Sequence, residues 1–297
     1  MFRSDTRLVV LQATVVDRNG KLVTNLPRKA FRVYENNVEQ QIHTFLQEDV
    51  PVSLGLVIDN SGSMRDRRET VESACLGLVK ASNREDQVFI VNFNDEAYLD
   101  APFTSSIEKL EEGVARIDSR GGTAMRDAIS MSIDYLKEEG KLDKKVLMVI
   151  TDGDDNASAV TLEQLVRKAQ QSEVLIYGIG LLDQEDRGAA RRAQRAIRTI
   201  CEASGGLAFF PATLAEVGDL TLQVAHELRN QYTIAYTPSN QTLDGNYRSI
   251  RLKVDAPDRP VARTRTGYYA TPDEQARPSA KPRLSVDSRP RETEANP

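Results

Sequence analysis

A chain of 297 residues, 40% hydrophobic and 28% charged, is long enough for one large domain or two modest ones and has the balance of an ordinary globular protein. Its net charge of −5 gives no electrostatic case for nucleic acid or an anionic membrane surface. No apolar run approaches the roughly 20 residues of a membrane span, and the charged start MFRSDTRLVV shows no signal peptide.

Residues 7–48 read as β structure. Arg7–Asp17 is rich in strand formers, Asn19-Gly20 is a turn signal, and Phe31–Glu35 and Val38–Phe45 flank Asn36-Asn37 as a hairpin. Over 52–229 the pattern changes. Apolar runs at 52–59, 87–93, 145–152, 174–181 and 207–212 carry few polar residues, as strands covered on both faces do. Between them lie helix candidates at about 65–82, 105–117, 124–139, 161–172, 187–204 and 214–229. Thr161 followed by Gln164 suits a capping box at the start of the fourth. The alternation predicts an α/β, doubly wound, mainly parallel sheet with helices on both faces. Cys75 and Cys201 fall inside helix candidates and read as buried thiols. His43 and His226 read as surface or interface residues.

After Asn230 strands return at 232–238, 247–255 and 261–270, with Asp244-Gly245 in a loop. Residues 271–297 hold five of the twelve prolines and read as a disordered tail. Each β piece alone is marginal. The expected organisation is therefore one β-sandwich made from 1–49 and 231–270, with the α/β domain, 50–230, inserted between them. The alternative leaves the two β pieces on opposite sides of the α/β domain.

Ligands of open α/β sheets bind beyond the carboxyl ends of the strands, where strand order reverses. Three segments could meet there: Asp59-Asn60-Ser61-Gly62-Ser63, Gly121-Gly122-Thr123 and Thr151-Asp152-Gly153. They offer two carboxylates and four hydroxyls, all oxygen donors of the kind that suits Mg²⁺ or Ca²⁺. A period of two would put Asp59, Ser61 and Ser63 on one side of an extended loop, which Gly62 lets bend, and the glycine pair would allow close approach to the ion. The bland reading is that Asp59, Ser61 and Ser63 merely cap a helix.

DNSGSM, the GGT of RGGTAMRDAI and the TDG of VITDGDDN together resemble the metal-ion-dependent adhesion site of von Willebrand factor type A domains. The resemblance covers about residues 50–229, and the flanking β pieces look like the bacterial von Willebrand A-related proteins common in acidobacteria. It implies a non-enzymatic, metal-dependent protein-binding or adhesion module, secreted or in the cell envelope; no signal peptide is visible in this chain, as would also hold for one trimmed to its mature start, and the cytoplasm stays open. It further implies Asp59, Ser61, Ser63, Thr123 and Asp152 as metal ligands, Mg²⁺ as the ion with Mn²⁺ or Ca²⁺ as substitutes, and an acidic side chain of a partner protein completing the coordination. In integrins, which share the domain, the last helix slides when ligation changes, which here would reach the strand at Tyr232.

Two other functional readings compete: a structural scaffold whose ion only braces the loops, and a Mg²⁺-dependent hydrolase. The second lacks a G-x-S-x-G elbow, a P-loop lysine motif and a second acid at Ser61. Asp152, Asp154, Asn156, Ser158 and Glu163 match the ligand spacing of an EF-hand, but Ala157 stands where its glycine belongs. Asp154, Asp155 and Asn156 then read as an acidic rim. Arg187, Arg191, Arg195 and Arg198 form a helical stripe, read as a solvated face opposite Ala193, Ile197 and Ile200.

Overall fold

The computed structural model describes residues 8–271 except 48, 82, 84, 116–119 and 183–185; the predicted tail from 272 onward lies outside them. The first segment forms β1 (Val9–Val16), β2 (Phe31–Glu35), β3 (Val38–Gln40) and β4 (Ile42–Leu46). The middle forms β5 (Val52–Asp59), α1 (Arg68–Ala81), β6 (Gln87–Phe93), β7 (Ala97–Thr104), α2 (Ile107–Ala115), α3 (Met125–Glu139), β8 (Lys144–Thr151), α4 (Leu162–Ser172), β9 (Leu175–Gly180), α5 (Arg187–Ser204), β10 (Ala208–Phe209) and α6 (Glu216–Arg229). The last segment adds β11 (Tyr232–Tyr236), β12 (Tyr247–Val254), β13 (Val261–Arg263) and β14 (Gly267–Tyr269).

The middle strands form one sheet in the order β10-β9-β8-β5-β6-β7, parallel except for β7, which runs antiparallel to β6. Alternate side chains feed two cores because strand side chains alternate in direction. Leu54, Leu56 and Ile58 join Val71, Cys75 and Leu78 of α1 and Val217 and Val224 of α6. Val57, Phe89 and Val91 join Ile129 and Ile133 of α3, Leu165 of α4 and Ile197 of α5. Each such buried aliphatic side chain contributes about 1.5–3 kcal/mol. Cys75 and Cys201 are buried free thiols, and burial pushes Cys75 up to about 12. α4 opens with the expected capping box: Gln164 N–H donates to the Thr161 hydroxyl and Thr161 N–H to the Gln164 side chain.

The two end segments build a sandwich of two four-stranded sheets, β13-β1-β11-β4 and β14-β12-β2-β3, so the arrangement with β pieces on opposite sides does not occur. Val9–Ala13 pairs antiparallel with Tyr236–Tyr232, a contact between the two ends of the chain. Leu11, Val33, Ile234, Ile250 and Tyr268 share the core between the sheets. One buried carboxylate spans both, since Glu35 accepts from the Tyr236 hydroxyl at 2.8 Å and the Tyr268 hydroxyl at 2.9 Å. Asn36 and Asn37 both take positive φ, 46° and 67°, as a two-residue hairpin turn requires.

Three expectations need correction. Val38–Phe45 is not one strand, because β3 pairs with β2 while β4 crosses to β11 in the facing sheet. The run 261–270 divides the same way into β13 beside β1 and β14 beside β12. Strands that change sheet close the corners of a sandwich. The third is β7, an edge strand that the sequence reading passed over. Its AYLDAPFT is half-exposed, contains a proline and pairs with bulges, so it lacks both alternation and an apolar run.

The α/β domain meets the sandwich at a buried polar junction. Glu227 of α6 accepts from the Thr14 hydroxyl of β1 (2.9 Å), the Tyr177 hydroxyl of β9 (2.9 Å) and Arg263 Nη2 of β13 (3.0 Å). Gln231 Nε2 donates to Thr14 Oγ1 and to the Tyr177 oxygen.

Candidate functional site

Strand order reverses at β5: the chain passes to β6 on one side and returns to β8 on the other. Asp59 and Thr151, the last residues of β5 and β8, therefore flank the switch point. Asp59 is 2% exposed; its Oδ1 accepts from Ser61 N–H at 2.8 Å and its Oδ2 from the Thr151 hydroxyl at 2.5 Å. Burial, opposed by those hydrogen bonds, raises its pKa to about 6.

Ser61 has extended backbone, but the chain then turns into a single 3₁₀ turn, Gly62–Asp66. The predicted extended run with a period of two is thus wrong for Ser63, which the turn swings round instead. Gly62 has open space where a Cβ would sit, so the bend does not demand glycine there. The Ser61 and Ser63 hydroxyls nevertheless lie 3.1 Å apart, and Ser63 donates to Asp152 Oδ1 at 2.8 Å. An ionised carboxylate has no proton to give, so Ser63 is the donor to it, Ser61 is then the donor to the Ser63 oxygen, and one Ser63 lone pair is left.

The glycine segment is held by Asp95, which the sequence analysis did not name, and by Asn156, which it read as part of an acidic rim. Gly121 has φ +77°, and a Cβ on it would sit 2.0 Å from Asp95 Oδ2; on Gly122 it would sit 2.6 Å from Asn156 Oδ1. The glycine pair thus makes room for two side chains of its own protein. Gly122 N–H donates to Asp95 Oδ1 and Thr123 N–H to Asn156 Oδ1. The Asn156 and Ala157 N–H groups donate back to the Thr123 carbonyl. Thr123 is 4% exposed, and its hydroxyl lies 3.4 Å from the position a Cβ on Gly153 would take, beside Asp152. All five predicted residues converge on the switch point, with Ser63 the exposed member.

The loop after β8 is not an EF-hand. Each of its aspartates holds an arginine instead: Asp152 with Arg67 at 2.6 Å, Asp154 with Arg192 at 2.6 Å and Asp155 with Arg126 at 3.0 Å. The acidic rim is therefore charge-neutralised, a pairing between distant elements that no local spacing announces. Burial raises the Asp152 pKa, while Ser63 and Arg67 hold it down. The stripe of Arg187, Arg191, Arg195 and Arg198 is exposed, opposite buried Ala193, Ile197 and Ile200.

Among the described residues no group of three or more His, Cys, Asp or Glu side chains is arranged to hold a metal. An ion at this site would lean on hydroxyls. The donor set fits one: two carboxylates and three hydroxyls, all oxygen, with the Ser63 proton drawn inward onto Asp152.

A doubly wound sheet with oxygen-bearing loops gathered at its switch point defines a class of α/β domain. Residues 54–154 match the model of the von Willebrand factor type A domain family. An uncharacterised protein of Borreliella burgdorferi is 25% identical over 215 residues, 71% of this chain and 61% of its own length. The inter-alpha-trypsin inhibitor heavy chain H4 of Sus scrofa is 26% identical over 155 residues, 47% of this chain and 17% of its own. The chain thus spans less than two-thirds of these relatives. A von Willebrand factor type A structure from Catenulispora acidiphila shares the fold over 89% of this chain and 75% of its own, with TM-score 0.52 and 14% identity. The vWF domain of the type V pili tip protein Mfa5 from Porphyromonas gingivalis shares it over 60% and 95%, with TM-score 0.50 and 14% identity. No described helix is long and apolar enough to cross a membrane.

Proposed function

We propose that the chain is a non-enzymatic module that binds a divalent cation, Mg²⁺ or in its place Mn²⁺ or Ca²⁺, through Asp59, Ser61, Ser63, Thr123 and Asp152. Through that ion it grips an acidic side chain of a partner protein outside the cell or in its envelope. The observation that carries the reading is the chain of contacts from the Ser61 hydroxyl to that of Ser63 and from Ser63 to Asp152, which joins the ends of two neighbouring strands at the exposed Ser63. Two carboxylates leave a bound divalent ion electrophilic, so one further anionic oxygen is attractive to it. The von Willebrand factor type A family, commonly adhesion and protein-interaction modules, supports this reading, as does the likeness to a pilus tip protein.

Calorimetric titration with Mn²⁺ tests it. Binding is expected in the wild type and lost in Asp59→Ala and Ser63→Ala, and acetate is expected to tighten it by filling the open position. Mn²⁺ affinity equal in all three proteins would reject the site. Tight Mn²⁺ binding indifferent to acetate would leave an ion that only braces the loops.

A further inference from the structure

Asp152 is one of two carboxylates at the site, and both of its oxygens are engaged. Oδ1 receives the Ser63 hydroxyl, and Oδ2 receives Arg67 Nη1 at 2.6 Å. Arg67 is not loosely placed. The same Nη1 donates to the Leu181 carbonyl at 2.9 Å, just past the end of β9, and the residue itself ends the 3₁₀ turn that carries Ser63. The Asp152 side chain is 0% exposed, so water does not stand ready to replace the guanidinium.

From this geometry we infer that Arg67 is a positioning residue that withholds Asp152 from direct ligation and sets a deliberately weak cation site. The inference rests on the metal reading above. Two effects act in the same direction. The guanidinium occupies the oxygen that faces away from Ser63, so the carboxylate reaches an ion through Ser63 or through water. It also places a positive charge beside the position of a divalent ion, and like charges this close in a partly buried setting repel strongly. Groups outside the ligand set commonly change metal affinity by about 10–100-fold. A cation there lowers affinity where a carboxylate would raise it.

The consequence is specific to this chain's partner. With Asp59 as the one carboxylate of the ligand set that no described arginine pairs, the ion is short of negative charge until an outside carboxylate arrives. Ion and partner then bind cooperatively, each raising the affinity of the other by the same factor.

The test is Mn²⁺ titration of the metal-stripped full chain by calorimetry, with circular dichroism to verify folding. Arg67→Gln keeps an N–H donor for Asp152 and Leu181 and removes the charge. It is expected to tighten Mn²⁺ binding about tenfold, and Arg67→Met to do the same if glutamine still restrains the carboxylate. Arg67→Lys, which keeps the charge, should stay nearer the wild type. Arg192→Gln, which frees an aspartate outside the ligand set, should move Kd by less than about twofold, the scatter of ordinary surface changes. A merely structural arginine would weaken the site on removal, so the direction of the change discriminates. If the wild type binds Mn²⁺ and neither Arg67→Gln nor Arg67→Met binds it more tightly, the inference falls and the metal reading stands. If neither wild type nor variants bind Mn²⁺, both fall.

Discussion

Removing the Glu227 carboxylate should loosen the junction between the two halves of the protein. In Glu227→Ala, Arg263, Thr14 and Tyr177 lose a common acceptor at 2.9–3.0 Å, in a place where the Glu227 side chain is 4% exposed. Breaking a buried pair by deleting one partner costs about 3–5 kcal/mol. The Arg263 side chain is 23% exposed and can partly rehydrate, which favours the lower end, about 3 kcal/mol. For a protein of this size that corresponds to a Tm lower by roughly 6–12 °C. Differential scanning calorimetry of the wild type, Glu227→Ala, Arg263→Ala and the double variant provides the measurement. The double variant is expected to fall short of the sum of the singles by about 1–3 kcal/mol, because both remove the same pair. A loss below 1 kcal/mol in Glu227→Ala, or additive singles, would show that the junction is a passive contact.

Lys144 is buried, donates to the Leu228 carbonyl, and has its pKa lowered to about 8 by burial, against the pull of Asp49, Asp86 and Glu227. A lysine depressed below its unfolded value of about 10.4 binds its proton less readily when folded, so its contribution to stability rises between about pH 8 and pH 10. Urea midpoints across that window should show the rise in the wild type and lose it in Lys144→Met. Gly121→Ala places a methyl group 2.0 Å from Asp95 at φ +77° and is expected to destabilise by more than 1 kcal/mol. It should also weaken Mn²⁺ binding, because Thr123 rides on that loop; unchanged Kd would detach Thr123 from the site. If α6 slides on ligation, as in integrins, spin labels on α6 and β12 should change separation when Mn²⁺ and acetate are added. A constant distance would mean that α6 does not slide on ligation.

The apolar runs of β5, β6, β8 and β9 and the capping box at Thr161 were readable because each is dictated by neighbours in sequence. So were Asp59 and Asp152, fixed by the strands that end in or beside them. What escaped depended on partners far along the chain. Thr151, which holds Asp59, is 92 residues from it, and Arg67 is 85 residues from Asp152. Asp95, which fills part of the space left by the glycine pair, gives no spacing signal, and the spacing of Asn156 pointed to a calcium loop instead. The sheet changes at Gln41 and Thr264–Thr266 escaped for a related reason: an unbroken run of strand formers does not say which neighbour each half will choose.

The chain leaves the sandwich from β4 and re-enters it at β11, and these strands are hydrogen-bonded neighbours, with Leu46 opposite Thr233. Both ends of the inserted unit therefore open from a single doorway. Tension applied to the inserted unit would load two adjacent strands in parallel, so that they shear together and do not peel apart one bond at a time. The same doorway lets the whole unit be exchanged for another of similar span without rethreading the sandwich, a graft that would show directly whether the β half folds by itself.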